Sequence, residues 1–118
     1  MKNKNFAESL KNMFDGFIYI LKYERNLKIH FAIGIFVFAL SLFLNLPPIK
    51  FCVVTFAIFF VICAELFNTA IEQTVDLCCG KKIHPVAKIA KDVASLSVFF
   101  AAVCALIIGC IIFLPYFF

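Results

Sequence analysis

Phe51–Asp76 reads FCVVTFAIFFVICAELFNTAIEQTVD, an apolar run that turns polar along one face part-way through. Its first part, Phe51–Ala64, has no charged side chain, no glycine and no proline. A run of this kind is a candidate membrane span, and it must be helical because hydrocarbon offers no partners to unpaired backbone groups. The second part then acquires Glu65, Asn68, Thr69, Glu72, Gln73 and Asp76. Glu65, Asn68, Glu72 and Asp76 follow one another at steps of three, four and four residues. At about 100° per residue these form one narrow polar ridge, with Glu65 and Asp76 ~16 Å apart along the axis. Ionisable groups at membrane depth are expensive and usually face a protein interior, a cavity or a ligand, so the ridge is the candidate site.

Two further apolar stretches flank it. Ile29–Leu46 (IHFAIGIFVFALSLFLNL) is stopped by Pro47 and Pro48, and residues 93–116 carry only Ser95, Ser97 and the Tyr116 hydroxyl as polar side chains. The pattern predicts spans over about 29–46, 51–76 and 93–116, joined by a short first link and a loop over about 77–90. Upstream, Phe6, Leu10, Met13, Phe14, Phe17 and Leu21 recur at three- and four-residue steps opposite Glu8, Lys11, Asn12, Asp15 and Lys22. That periodicity predicts an amphipathic helix over about 5–27 lying in the headgroup plane. Residues 1–28 do not read as a signal peptide, because polar residues recur through them. The expected fold is an all-α membrane protein of one domain, 1–118, with a surface helix and three transmembrane helices.

Composition agrees. Of 118 residues 64% are apolar, 17% aromatic and only 15% charged, with mean hydropathy +1.04. A soluble domain would show ~25% charged residues, so the surplus apolar surface must face lipid. Scarce Gly and Pro exclude collagen-like and low-complexity classes. Four of the six cysteines lie in apolar runs and Cys78 and Cys79 are adjacent, which reads as thiols rather than a disulfide scaffold. Six Lys or Arg fall in residues 1–28, four in 80–92, one at Lys50 and none after Lys91. The positive-inside rule therefore predicts a cytoplasmic N-terminus and 77–90 loop, with the C-terminus outside. The net charge of +4 suits anionic headgroups, and no nucleic-acid-binding motif is present.

Two carboxylates seven residues apart on one face, Glu65 and Glu72, require a cation, protons or a basic partner. Hard oxygen ligands of this kind suit Mg²⁺ when a phosphate completes the shell. Glu24 near the end of the surface helix and the pair Lys91-Asp92 place further charge on the same side of the membrane. Cys78, Cys79 and His84 have no familiar zinc-ligand spacing, and none of the glycine-rich phosphate loops of soluble nucleotide-binding proteins is present.

The ridge Glu65-Leu66-Phe67-Asn68-Thr69-Ala70-Ile71-Glu72-Gln73-Thr74-Val75-Asp76 resembles the E-x-x-N-[ST]-A-I-E-x-x-x-D signature of the small prokaryotic diacylglycerol kinase and undecaprenol kinase family. Glu24-Arg25-Asn26-Leu27-Lys28-Ile29-His30 is similar to that family's E-R-N-x-[RK]-I-H approach to the first span, and His84–Ala94 to its H-P-x-A-K-x-A-K-D-x-A stretch. The resemblance implies an ATP- and Mg²⁺-dependent kinase of a membrane lipid hydroxyl, a homotrimer with active sites shared between subunits in the bacterial inner membrane. It implies Glu65 as catalytic base and Glu24 and Glu72 as metal ligands. Asn12, Glu24, Asn68, Glu72, His84, Lys91 and Asp92 would contact the nucleotide, and Ser95 with Glu65 the lipid. The pattern is closer to the Gram-positive undecaprenol branch; Lys81-Lys82 stand where some diacylglycerol-specific relatives carry a carboxylate. Residue chemistry alone leaves two rivals: a carboxylate-based transporter, and an adaptor whose polar groups only join helices.

Overall fold

The computed structural model describes residues 2, 4–80, 82 and 84–118, so Lys81 of the Lys81-Lys82 pair lies outside the described residues. The described residues form four helices: α1 (Phe6–Tyr23), α2 (Arg25–Phe43), α3 (Pro48–Cys79) and α4 (Pro85–Phe117). The last three are long and apolar enough to cross a membrane. The all-helical fold read from the sequence is thus what the chain adopts.

Each boundary has a local cause. Asn5 caps α1 by accepting the Glu8 N–H at 2.8 Å, while Glu8 Oε2 accepts the Lys4 N–H at 3.0 Å, a reciprocal arrangement close to a capping box. The surface helix was expected to run to about residue 27, but it ends at Tyr23 because Glu24 is extended (φ −104°, ψ 106°). Glu24 closes α1 through its N–H on the Ile20 carbonyl and precedes the first residue of α2. The break folds α1 back on α2: the rings of Phe17 and Phe31 lie 5.2 Å apart, whereas a straight helix would separate residues this distant by ~20 Å.

α2 ends in a Schellman motif. Asn45 takes φ 52°, its N–H bonds the Leu42 carbonyl at 3.2 Å, and the Leu46 N–H bonds the Ser41 carbonyl at 3.3 Å. Pro47 follows, and Pro48 starts α3, where its missing N–H costs nothing. At 32 residues α3 is ~48 Å long, beyond the ~30 Å of a hydrocarbon core, so one end must leave it. The loop expected over 77–90 is far shorter. α3 continues to Cys79 and stops where Gly80 turns to φ 61°, and α4 begins at Pro85 with His84 Nδ1 accepting the Val86 N–H at 3.1 Å.

α3 is the central helix, packed most extensively on α4 and less on α2, while α1 touches only α2. Leu46, Val54 and Ile112 form a small core near one end. Small residues let the backbones approach: Gly34 is buried against Ile58, and Ala57, Ala94 and Ala101 are buried. Large apolar side chains such as Phe36, Phe56, Phe59, Phe99 and Leu106 point outward, as lipid-facing residues must. Lys50 sits over the Tyr116 ring at 5.6 Å, tying the start of α3 to the end of α4.

Candidate active site

The polar ridge passes from the interior of the bundle to its exposed end. Glu65 is only 2% exposed and Asn68 6%, Glu72 is half-buried, and Asp76 is exposed. The long α3 makes this gradient possible, since its C-terminal turns run on towards water beyond its apolar length. α2 begins directly after Glu24, which brings His30 beside the ridge: His30 Nε2 lies 3.7 Å from Glu65 Oε2. Asn68 Nδ2 donates to Glu72 Oε1 at 3.4 Å, and the buried Asn68 Oδ1 has no hydrogen-bond partner among the described residues. The charges of Glu72 and Glu24 both reach Glu65, so three carboxylates share one region.

At the exposed end α4 joins in. Lys91 Nζ donates to Asp76 Oδ1 at 2.6 Å across the two helices, and Lys88 Nζ donates to Asp92 Oδ2 at 2.7 Å within α4. These residues precede the apolar part of α4, and each hydrogen bond pushes its ammonium group up from the ordinary lysine value. Lys91 is also within charge reach of Glu72. A cleft of about 830 Å³ opens here, lined by Asp76, Lys82, His84, Lys88, Lys91 and Asp92 among others. On the membrane side a second, apolar groove of about 530 Å³ runs between α2 and α4 over α3, with His30 and the Cys110 thiol its only ionisable lining residues among the described ones.

The structure thus unites the expected residues in two connected groups. Glu65, Asn68 and Glu72, with the charge of Glu24, form the inner one; His84, Lys91 and Asp92 line the cleft. Asn12 and Ser95 lie on exposed faces of α1 and α4, and neither lines the cleft. Three residues with no assigned role join the constellation: His30, Asp76 and Lys88. His30 and Lys88 were visible only as motif letters, and Asp76 as the last step of the ridge.

Chemically, three lysines in a cleft can take phosphate charge, and carboxylates with an orphaned amide oxygen can take a hard cation. Among the described residues no three acidic, histidine or cysteine groups converge into a complete metal cage. The donor set instead fits an ion held by one or two carboxylates and completed by substrate phosphates, the usual arrangement for Mg²⁺.

The family model for prokaryotic diacylglycerol kinase matches residues 11–113. This chain belongs to the prokaryotic diacylglycerol kinase family, whose members are lipid kinases. It is 37% identical over 111 residues to a diacylglycerol kinase of Synechocystis sp., covering 94% of this chain and 63% of that protein. It is 36% identical over 122 residues to the undecaprenol kinase of Bacillus subtilis, covering 98% of each. The chain therefore spans just under two thirds of the cyanobacterial relative and nearly all of the Bacillus one. Membership of the family implies a nucleotide phosphoryl donor, usually with a divalent metal, and a lipid acceptor in a membrane.

Proposed function

We propose that this chain phosphorylates undecaprenol with Mg·ATP to give undecaprenyl phosphate. The observation that carries the reading is the ridge itself, with Glu65 buried at its inner end and Asp76 in an open, lysine-lined cleft at its outer end. A base at membrane depth meets a lipid hydroxyl without drawing the hydrocarbon chain into water, while the phosphates stay where lysines and water reach them. The near full-length match to a protein named undecaprenol kinase supports this acceptor. The name of the cyanobacterial relative favours a second acceptor, diacylglycerol, which would give phosphatidic acid.

In this reading Glu65 accepts the hydroxyl proton as the hydroxyl oxygen bonds the γ-phosphorus and the bond to the ADP oxygen breaks. Glu24 and Glu72 would hold Mg²⁺, which would supply neutralisation of the phosphate charge there. Asn68 and Lys91 orient the phosphates, and Asp76 steers Lys91 until they arrive. His84 and Asp92 line the nucleoside side, Asn12 on α1 adds a nucleotide contact, and Ser95 faces the lipid. With few walls in one chain, the site is completed between subunits of a homotrimer in the bacterial inner membrane. The N-terminus and the α3–α4 turn are cytoplasmic and the C-terminus is outside.

The test is transfer of labelled γ-phosphate from Mg·ATP to undecaprenol and to diacylglycerol, side by side in mixed micelles. Label in undecaprenol that is lost with Glu65→Gln supports the proposal. Label only in diacylglycerol replaces the acceptor, and no label in either, with the protein folded, overturns the kinase reading in favour of a carboxylate-based transporter.

A further inference from the structure

We propose that His30 is the positioning residue for Glu65, holding one carboxylate oxygen so that the other is presented to the acceptor hydroxyl; this rests on the kinase reading above. Glu65 is buried beside groups of its own helix and one opposing carboxylate. Glu72 and Glu24 act on it by repulsion, and the Asn68 amide, which donates to Glu72 at 3.4 Å, also reaches Glu65 and so is shared between the two carboxylates. His30 is the only group carrying a potential positive charge within ion-pair distance of Glu65 among the described residues. It approaches from a different helix, so its contact depends on how α2 packs on α3.

The contact is atom-specific. Nε2 faces Oε2 at 3.7 Å, slightly longer than a hydrogen bond, and such contacts tighten when substrate closes a site. With Nε2–H donating to Oε2, the carboxylate can no longer rotate freely, and Oε1 keeps its lone pairs for the incoming proton. His30 also lines the apolar groove between α2 and α4. Its ring therefore stands between hydrocarbon and the buried carboxylate, where a lipid hydroxyl has to arrive. Leu27, one turn earlier on α2, is fully buried and anchors this stretch of the helix.

Two substitutions separate position from bulk in the full chain, in mixed micelles with undecaprenol and Mg·ATP. His30→Phe keeps the ring volume without a donor, and His30→Gln keeps an N–H donor of similar reach. His30→Phe is expected to lower kcat by about 10- to 100-fold, the scale of a reacting group misplaced by ~1 Å, with KM for ATP unchanged. His30→Gln should recover most of that loss, and His30→Phe should add nothing to Glu65→Gln because the residue it positions is already disabled. If His30→Phe does not fold, His30→Asn, whose shorter amide falls short of Glu65, carries the same expectation. Native kcat in the Phe variant, or equal loss in the Phe and Gln variants, overturns the proposal while the kinase reading stands. A native chain inactive on both undecaprenol and diacylglycerol overturns both.

Discussion

Gly34 is where helix packing and the site meet, and a single methyl group tests the link. A Cβ built at Gly34 would lie 3.0 Å from Ile58 Cγ2, about 0.5–1 Å inside comfortable carbon–carbon contact. Ile58 is β-branched and on a helix, so it has one strongly preferred rotamer and its Cγ2 cannot swing away cheaply. The strain must go into parting α2 from α3. Overpacking of this kind costs about 1–3 kcal/mol, whereas replacing glycine by alanine inside a helix gains about 1 kcal/mol. Gly34→Ala should therefore fall between neutral and about 2 kcal/mol less stable. Gly34→Leu gains similar helix propensity but must place a far larger side chain against Ile58, so it should be worse.

The consequence reaches the site because His30 lies one helical turn before Gly34 and on the same face. Moving α2 outward lengthens a contact that already stands at 3.7 Å, so turnover should fall further than stability alone explains. Thermal unfolding in detergent micelles and lipid phosphorylation, measured on the same samples, separate the two effects. Ile58→Ala removes the atom that is struck, so the pair Gly34→Ala/Ile58→Ala should be more stable than the sum of the single variants by about 1 kcal/mol and should regain activity. Effects that add within about 0.5 kcal/mol, or a Gly34→Leu protein with native stability and turnover, would refute the packing argument.

Other expectations concern the cleft. Lys91→Met should cut kcat/KM for ATP by about 100-fold, the usual scale for losing one donor to developing charge, and Asp76→Asn should do less because the lysine remains; steady-state titration with ATP checks both. Gly80 holds φ 61°, so Gly80→Ala should lower stability by about 1–3 kcal/mol and raise KM for ATP by moving the α3 end that carries Asp76, read by thermal unfolding and kinetics. Cys79 lines the cleft whereas Cys78 does not, so Mg·ATP should slow maleimide labelling of Cys79 in a Cys78→Ser background and leave Cys78 labelling unchanged in a Cys79→Ser background. Removing divalent metal with a chelator should abolish phosphorylation and leave the thermal transition nearly unmoved. No three-ligand cage exists among the described residues for the metal to staple.

What was legible in the sequence is whatever repeats along one helix. The ridge declared itself through steps of three and four residues because residues of one face share a line whatever surrounds them, and the apolar runs declared their spans for the same reason. The break at Glu24 was not legible: the apolar repeat ends at Leu21, but nothing in the sequence distinguishes the end of a face from the end of a helix, and the extended backbone at Glu24 with the contact of Phe17 and Phe31 reveals the fold-back. The shortened α3–α4 turn was missed because polar residues at 77–90 read as loop, yet a helix end beyond the hydrocarbon core is free to be polar. Cross-helix partners were the least legible. His30 and Glu65 are 35 positions apart, and Asp76 and Lys91 15 apart; no spacing rule couples residues on different helices. Those pairs depend on where small residues let α2 and α4 approach α3. A sequence can therefore name a candidate ridge, while the side chains that meet it from other helices are set by packing at positions such as Gly34.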